Sequence, residues 1–195
     1  MKILYLGPQN ERIISFLKSK HSIDREEKRI GVTYLNGKEY DFAISFRYQY
    51  KLEKDFIDYF GSKIINLHIS YLPFNRGRDP NIWSFIDKTI KGVTIHQIDE
   101  GIDTGDIILQ KEIKFNQNNE TLSSSYNKLI TAIENLFIDN CDKILNQRIT
   151  PVKQIRAGSC HKRVDLDKYL YLIDQLKYNT PVKKFNNIKI KKHEN

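Results

Sequence analysis

Short apolar runs alternate along the chain with segments whose apolar residues recur every three to four positions. The first kind of pattern predicts strands, the second helices. "KILYLG" (residues 2–7), "YDFAISF" (40–46), "KIINLHI" (63–69), "GVTIHQI" (92–98) and "GDIILQKEI" (105–113) read as strands. Between the first two lies "NERIISFLKSK", with Ile13, Ile14, Phe16 and Leu17 at helical spacing and Asn10 as a cap. "KLEKDFIDYF" (51–60) is a second amphipathic helix, and "PNIWSFID" (80–87) carries its proline where a helix begins. Residues 121–147 predict one long helix whose buried stripe runs through Leu122, Tyr126, Leu129, Ile133, Leu136 or Phe137, Cys141 and Ile144.

The remaining segments carry weaker signals. Residues 22–40 are polar and turn-rich, with "NGK" as a hairpin signal. Residues 150–163 look extended and then loop-like, 164–176 suggest a short helix, and the end of the chain should be loose. Strands alternating with helices define an α/β protein: a Rossmann-like, mostly parallel sheet flanked by helices. The expected organisation is a main domain over 1–150 and a C-terminal extension over 151–195. In such a sheet, ligands bind at the carboxyl ends of the strands.

Composition narrows the class. The chain has 195 residues, 39% hydrophobic and 29% charged, which fits an ordinary globular domain rather than a disordered one. No run approaches the ~18 apolar residues of a membrane span, and the N-terminus has no signal-peptide pattern. Cys141 and Cys160 show neither metal nor redox spacing, so two reduced thiols in a cytoplasmic protein are expected, with no metal site. The formal charge of +8 favours anionic partners, but part of it sits in the Lys-rich tail "PVKKFNNIKIKKHEN". Nucleic acid is therefore not the expected main partner.

The chemistry gathers in two places. In "INLHI", Asn66 and His68 are two apart on a strand, so both point to one face at its carboxyl end. In "GVTIHQIDEGIDTGDII", a strand runs into a turn crowded with Asp99, Glu100, Asp103 and Asp106. His96 lies mid-strand, away from the expected mouth, and reads as structural. The turn after the first strand, "LGPQNE", holds one glycine, so a glycine-rich pyrophosphate loop is absent.

"NLHISYLPFNRG" followed by "GVTIHQIDEGIDTGDIILQ" resembles the formyltransferase family, whose members move a formyl group from 10-formyltetrahydrofolate to an amine. The resemblance covers residues 40–112 closely. It implies a formyltransferase fold, a folate co-substrate and no metal. It assigns catalysis to Asn66, His68 and Asp103. Folate contacts are expected at Phe46, Arg47, Tyr48, Asp99, Gly101 and Ile102. The types suit the chemistry: an amide and an imidazole can face a developing oxyanion, an imidazole can move protons near neutrality, and a carboxylate can hold that imidazole.

The loop "SYLPFNRGRDPNIWSF" and the segment "HKRVDLDKY" are most similar to short sugar-nucleotide N-formyltransferases. That likeness implies a nucleotide-linked amino deoxysugar as acceptor, of the dTDP-4-amino-4,6-dideoxyglucose type, made for surface polysaccharide. Tyr71, Asn75, Arg76, Arg78, Asp79 and Trp83 would contact it. A homodimer is expected, with the C-terminal extension as a contact. Methionyl-tRNA relatives carry a further C-terminal barrel and glycinamide ribonucleotide relatives a glycine-rich phosphate turn. Both are less fitting acceptor classes for this chain. The alternatives of other kinds are a folate-dependent hydrolase and a non-catalytic binder of nucleic acid or polysaccharide intermediates.

Overall fold

The apolar N-terminal run forms β1 (Lys2–Leu6), and its residues from Ile3 onward are fully buried. In α1 (Glu11–Lys18) the Asn10 side chain accepts from the Ile13 N–H at 2.9 Å, satisfying one of the donors a helix start leaves free. The chain continues through β2 (Ser22–Glu26), β3 (Phe42–Phe46), α2 (Lys54–Phe60) and β4 (Ile64–His68). Then come a two-residue strand β5 (Arg76–Gly77), α3 (Pro80–Ile86), β6 (Gly92–Gln97), β7 (Ile107–Glu112) and the long α4 (Leu122–Leu145). A second short strand, β8 (Cys160–His161), and a single turn, α5 (Leu170–Ile173), follow. The structure is a computed structural model and describes residues 1–173 and 176–188.

Six strands form one sheet in the order β2-β1-β3-β4-β6-β7. The first four are mutually parallel, β6 is antiparallel to β4, and β7 is antiparallel to β6, so only β6 is reversed. The sheet is thus mostly parallel and flanked by helices. Ile3, Tyr5, Ile44, Ile65, Leu67, Val93 and Ile95 face α1 and α4, meeting Ile13, Leu17, Ile133 and Phe137. Cys141 joins this core, as its helical spacing predicts. Leu4, Leu6, Ala43 and Ile64 face Phe56, Ile57 and Phe60 of α2. The alternation along β4 sends Ile65 and Leu67 into one core and leaves Asn66 and His68 for the other face.

Three expectations need correction. Residues 22–26 are a strand, paired parallel with β1 at the sheet edge. "SIDRE" holds a single apolar residue because an edge strand needs little burial, so periodicity misses it. Asn36–Lys38 turns the chain but makes no hairpin, since β3 pairs in parallel with β1. The segment after residue 163 starts as a 3-10 helix (Arg163–Tyr169) before the short α5.

The end of the chain is docked as far as residue 188. Leu122 N–H donates to Thr180 O at 3.0 Å and Val182 N–H to Glu120 O at 3.0 Å. Val182 and Phe185 are fully buried against Ile82, Trp83, Phe85 and Leu122. The last lysines of the basic tail, in 189–195, lie outside the described residues. Residues 151–161 are tied to the main domain: Val152 exchanges backbone hydrogen bonds with Ile107 of β7 at 2.8 Å each, and β8 pairs with β5 in a separate two-stranded sheet. Among the described residues no helix is long and apolar enough to cross a membrane.

Phe185→Ala should destabilise the protein by about 3–5 kcal/mol, the range for deleting a fully buried phenyl ring. Urea unfolding measures it. A loss below about 1 kcal/mol, the level of an ordinary surface change, would show that 181–188 is not part of the core.

Candidate active site

The cross-strand register brings the polar residues of β4 and β6 together. Asn66 lies opposite His96, and His68 opposite Thr94. Thr94 is fully buried and ties down the loop after β4: its Oγ1 donates to Ser70 O at 2.7 Å and accepts from Leu72 N–H at 3.2 Å. Gln110 Nε2 adds a bond to Leu72 O at 2.7 Å. The turn after β6 doubles back over this face. It is shaped by Asp99, whose Oδ1 accepts from Gly101 N–H at 3.0 Å and Thr104 Oγ1 at 2.6 Å. Gly105 is required there, because a Cβ would collide with the carbonyl oxygen of Gln97.

Asp103 ends up at the centre. Its Oδ1 accepts from Asn66 Nδ2 at 3.2 Å and lies 3.4 Å from His96 Nε2. Its Oδ2 accepts from Gly77 N–H at 2.8 Å and lies 3.7 Å from His68 Nδ1. Gly77 reaches it from a left-handed backbone (φ +86) where a Cβ would strike His161 O, so only glycine fits. Burial alone would raise the Asp103 carboxyl. The imidazoles of His68 and His96 and the Gly77 N–H outweigh it and hold the group well below the usual carboxylate range.

His68 is buried, with its side chain 8% exposed, and burial pushes its imidazole below the ordinary 6.5 despite the pull of Asp103. It therefore rests neutral near pH 7. Its Nε2 faces the carbonyl oxygen of Asn75 at 3.3 Å, so both ring nitrogens look at oxygen atoms. Such a ring accepts a proton into a site already shaped for the cation. His96 Nδ1 donates to Gln97 O at 2.7 Å, which leaves Nε2 as an acceptor for Asn66 Nδ2 at 3.3 Å. Both bonds of the Asn66 amide are long, so one N–H can turn toward an incoming oxygen at little cost.

These groups open into a cleft of about 640 Å³. All three residues assigned to catalysis line it, as do Phe46, Arg47, Tyr48, Asp99, Gly101 and Ile102, the expected folate contacts. Leu52 and Ile98 add apolar wall beside the edge-on pair Tyr48 and Tyr50. Flat apolar walls beside the backbone of 99–103 suit a heteroaromatic ring with an amide-like edge. Arg47, Asp79 and Asp103, all lining the cleft, have left-handed backbones with φ between +52 and +59. Among the described residues no group of His, Cys, Asp and Glu side chains forms a metal set.

The expected acceptor contacts divide. Arg78 and Asp79 line the cleft, whereas Tyr71, Asn75, Arg76 and Trp83 do not. Asn75 is fully buried, with Nδ2 on Thr89 Oγ1 at 2.7 Å, and it serves the site through its backbone carbonyl. Arg76 is bound to Gln154. Tyr71 packs against Gly92. Trp83 stacks on His161 of its own chain (centroids 3.7 Å, 2° apart), and His161 Nε2 meets Asp87 Oδ2 at 2.7 Å. Sequence reasoning missed His96 as a site residue, because a strand pattern does not reveal that the strand is reversed. It also left unassigned Tyr126, His161, Lys162, Arg163 and Tyr178, which line the cleft. Only the likeness of "HKRVDLDKY" to sugar enzymes hinted at part of that set.

A family model described as formyl transferase matches residues 11–140, two thirds of the chain, so the chain belongs to the formyl transferase family. The formyltransferase PseJ from Anoxybacillus kamchatkensis, solved in complex with UDP-4,6-dideoxy-4-formamido-L-AltNAc and tetrahydrofolate, has the same fold at TM-score 0.92. The two are 40% identical, over 97% of this chain and 100% of that one. A methionyl-tRNA formyltransferase from Thermodesulfovibrio yellowstonii is 44% identical over 58% of this chain and 37% of its own. A dTDP-4-amino-4,6-dideoxyglucose formyltransferase from Mycobacterium tuberculosis is 30% identical over 66% and 54%. The chain thus spans well under two thirds of the length of these two curated relatives.

The site sets the pH dependence of stability. The folded His68 pKa lies below its unfolded value of 6.5, so protonation opposes folding and stability falls as pH drops below 6.5. The folded Asp103 pKa lies below 3.8, so its contribution is complete above that value and lost as pH falls beneath it. Urea unfolding of wild type and Asp103→Asn across this range should show a stability gap that widens as pH falls below 6.5, because Asp103 eases protonation of His68, and then closes as pH falls beneath 3.8. A gap independent of pH would contradict the charge assignment.

Proposed function

We propose that this protein transfers the formyl group of 10-formyltetrahydrofolate to the amine of a nucleotide-linked 4-amino-dideoxysugar. The observation that carries the reading is the convergence of Asn66, His68 and Asp103 at the floor of a cleft with apolar and cationic ends. The folate supplies an activated formyl carbon. Every other requirement falls to the chain. The Asn66 amide and the His68 ring offer donors to the negative charge that develops on the formyl oxygen, and one such donor is worth ~3 kcal/mol of barrier. His68, neutral at rest, takes the proton that the attacking amine sheds and returns it to the departing nitrogen. Asp103 stabilises the imidazolium formed between those two transfers.

Several features support the acceptor class. Arg47, Lys51, Arg78, Lys162 and Arg163 line the cleft and suit a pyrophosphate. Tyr126 and Tyr178 offer flat surface. The likeness to the UDP-sugar-bound relative covers 97% of this chain and so extends past position 140, where further residues line the cleft. That favours a UDP-linked sugar over the dTDP-linked one. The mycobacterial similarity, at 30% over 129 residues, keeps dTDP as the second reading.

Purified protein should turn over 10-formyltetrahydrofolate with UDP-linked 4-amino-4,6-dideoxy sugars faster than with dTDP- or GDP-linked ones. His68→Ala and Asp103→Ala should each lower kcat by about 100-fold or more while far-UV circular dichroism is unchanged. Formylation of methionyl-tRNA or glycinamide ribonucleotide alone would overturn the acceptor class. Full activity in either variant would overturn the site.

A further inference from the structure

One side chain beyond α4 touches the Asp103 turn twice. Gln154 Nε2 donates to the backbone carbonyls of Asp103 at 2.9 Å and Gly105 at 2.7 Å. Its Oε1 accepts from Arg76 Nε at 3.1 Å and Nη2 at 2.7 Å. Arg76 immediately precedes Gly77, whose N–H holds Asp103 Oδ2 at 2.8 Å. The contacts close a ring: Gln154 grips the main chain of Asp103, Arg76 grips Gln154, and the next residue grips the Asp103 carboxylate. Both sides of the ring are anchored. Val152 is paired to Ile107 of β7, and Cys160–His161 are paired to Arg76–Gly77.

Asp103 needs such a hold. Its φ of +52 is a left-handed backbone that a residue other than glycine adopts at a cost. Released, the turn would relax and carry the carboxylate away from the two imidazoles. The residue type is also specified. Arg76 offers only donors and the two carbonyls accept only, so the side chain between them must accept at one end and donate twice at the other. Glutamine does this. Glutamate satisfies Arg76 but sets an anion against two carbonyl oxygens.

We propose that Gln154, held by Arg76, is a positioning residue that fixes the Asp103 carboxylate against His68 and Asn66. Gln154 lies outside the region matched by the family model, on the segment that also lines the acceptor side of the cleft. The kinetic consequence rests on the formyl-transfer reading; the structural one does not.

The test uses the full chain with Gln154→Met, Gln154→Glu, Arg76→Met and Arg76→Lys, followed by kinetics, thermal unfolding and NMR titration of the His68 ring. The titration reads the Asp103 carboxylate, since the other groups facing the ring, His96 and the Asn75 carbonyl, are unchanged. Gln154→Met and Gln154→Glu should lower kcat by about 10- to 100-fold with KM for the folate within about threefold, the pattern of a misplaced catalytic group. In Gln154→Met, which changes no charge, the His68 midpoint should fall by about half a pH unit as the Asp103 anion recedes. Arg76→Lys should recover part of what Arg76→Met loses. A lower melting temperature with kcat and the His68 midpoint both unchanged would overturn the proposal. A midpoint that moves in a protein whose wild type formylates no amine would uphold the positioning role and overturn the formyl-transfer reading instead.

Discussion

The carboxylate of Asp103 is taken largely out of water, and the surrounding structure is arranged to make that tolerable. A buried anion without partners costs several kcal/mol, so each oxygen needs donors at fixed places. Its partners come from three strands: the Asn66 amide of β4 and the Gly77 N–H of β5 donate to it, and the rings of His96 on β6 and His68 on β4 lie 3.4 and 3.7 Å away. None of these can move far without leaving a charge uncompensated. This explains why the loop after β4 is stitched so heavily to Thr94 and Gln110, and why a left-handed residue sits at the tip of the turn.

The reversed strand belongs to the same constraint. Because β6 runs against β4, its His96 lies beside Asn66, and the chain leaves β6 close to the residues it must then cover. The antiparallel pairing of β6 with β7 allows the short return that keeps Asp103 within a few residues of His96. One reversal in an otherwise parallel sheet thus converts two adjacent strands and the turn between β6 and β7 into a single polar pocket. The apolar faces beneath Ile65, Leu67, Val93 and Ile95 remain an ordinary core, which keeps the pocket rigid.

Asn66, His68 and Asp103 were legible because a strand has a strict period and a family resemblance named the turn residue. The residues of 46–48 and 99–102 lie at strand ends, where position alone says they face the cleft. The loop after β4 was read less well, for a physical reason. Residues 69–79 follow no repeat, so nothing in their order tells an inward side chain from an outward one. Asn75 looks like a substrate contact by type and is buried instead, as is Trp83 in the helix that follows. Asn75 acts through its carbonyl, a group every residue carries, so its identity held no clue. Arg76 looks like a phosphate ligand and is bound to a glutamine 78 residues away. The edge strand β2 was missed because half-exposed strands need not look apolar.

The segment after α4 changes how the two halves of the cleft should be viewed. The residues proposed for chemistry and for the folate wall lie within 45–103, in the part matched by the family model. His161, Lys162, Arg163 and Tyr178 reach the cleft from beyond that part. His161 is fixed from behind by the parallel Trp83 ring and by Asp87, a rigid support rather than a mobile surface arm. A family whose members share a donor but differ in acceptor needs to vary one wall without disturbing the other. Gln154 complicates that separation, because the segment that supplies the proposed acceptor wall also holds the Asp103 turn in place. Changes that retune the acceptor side must therefore leave the anchors at Val152 and Cys160–His161 intact, or they loosen Asp103 as well. On the proposed reading, acceptor specificity and catalysis are linked through about ten residues of backbone.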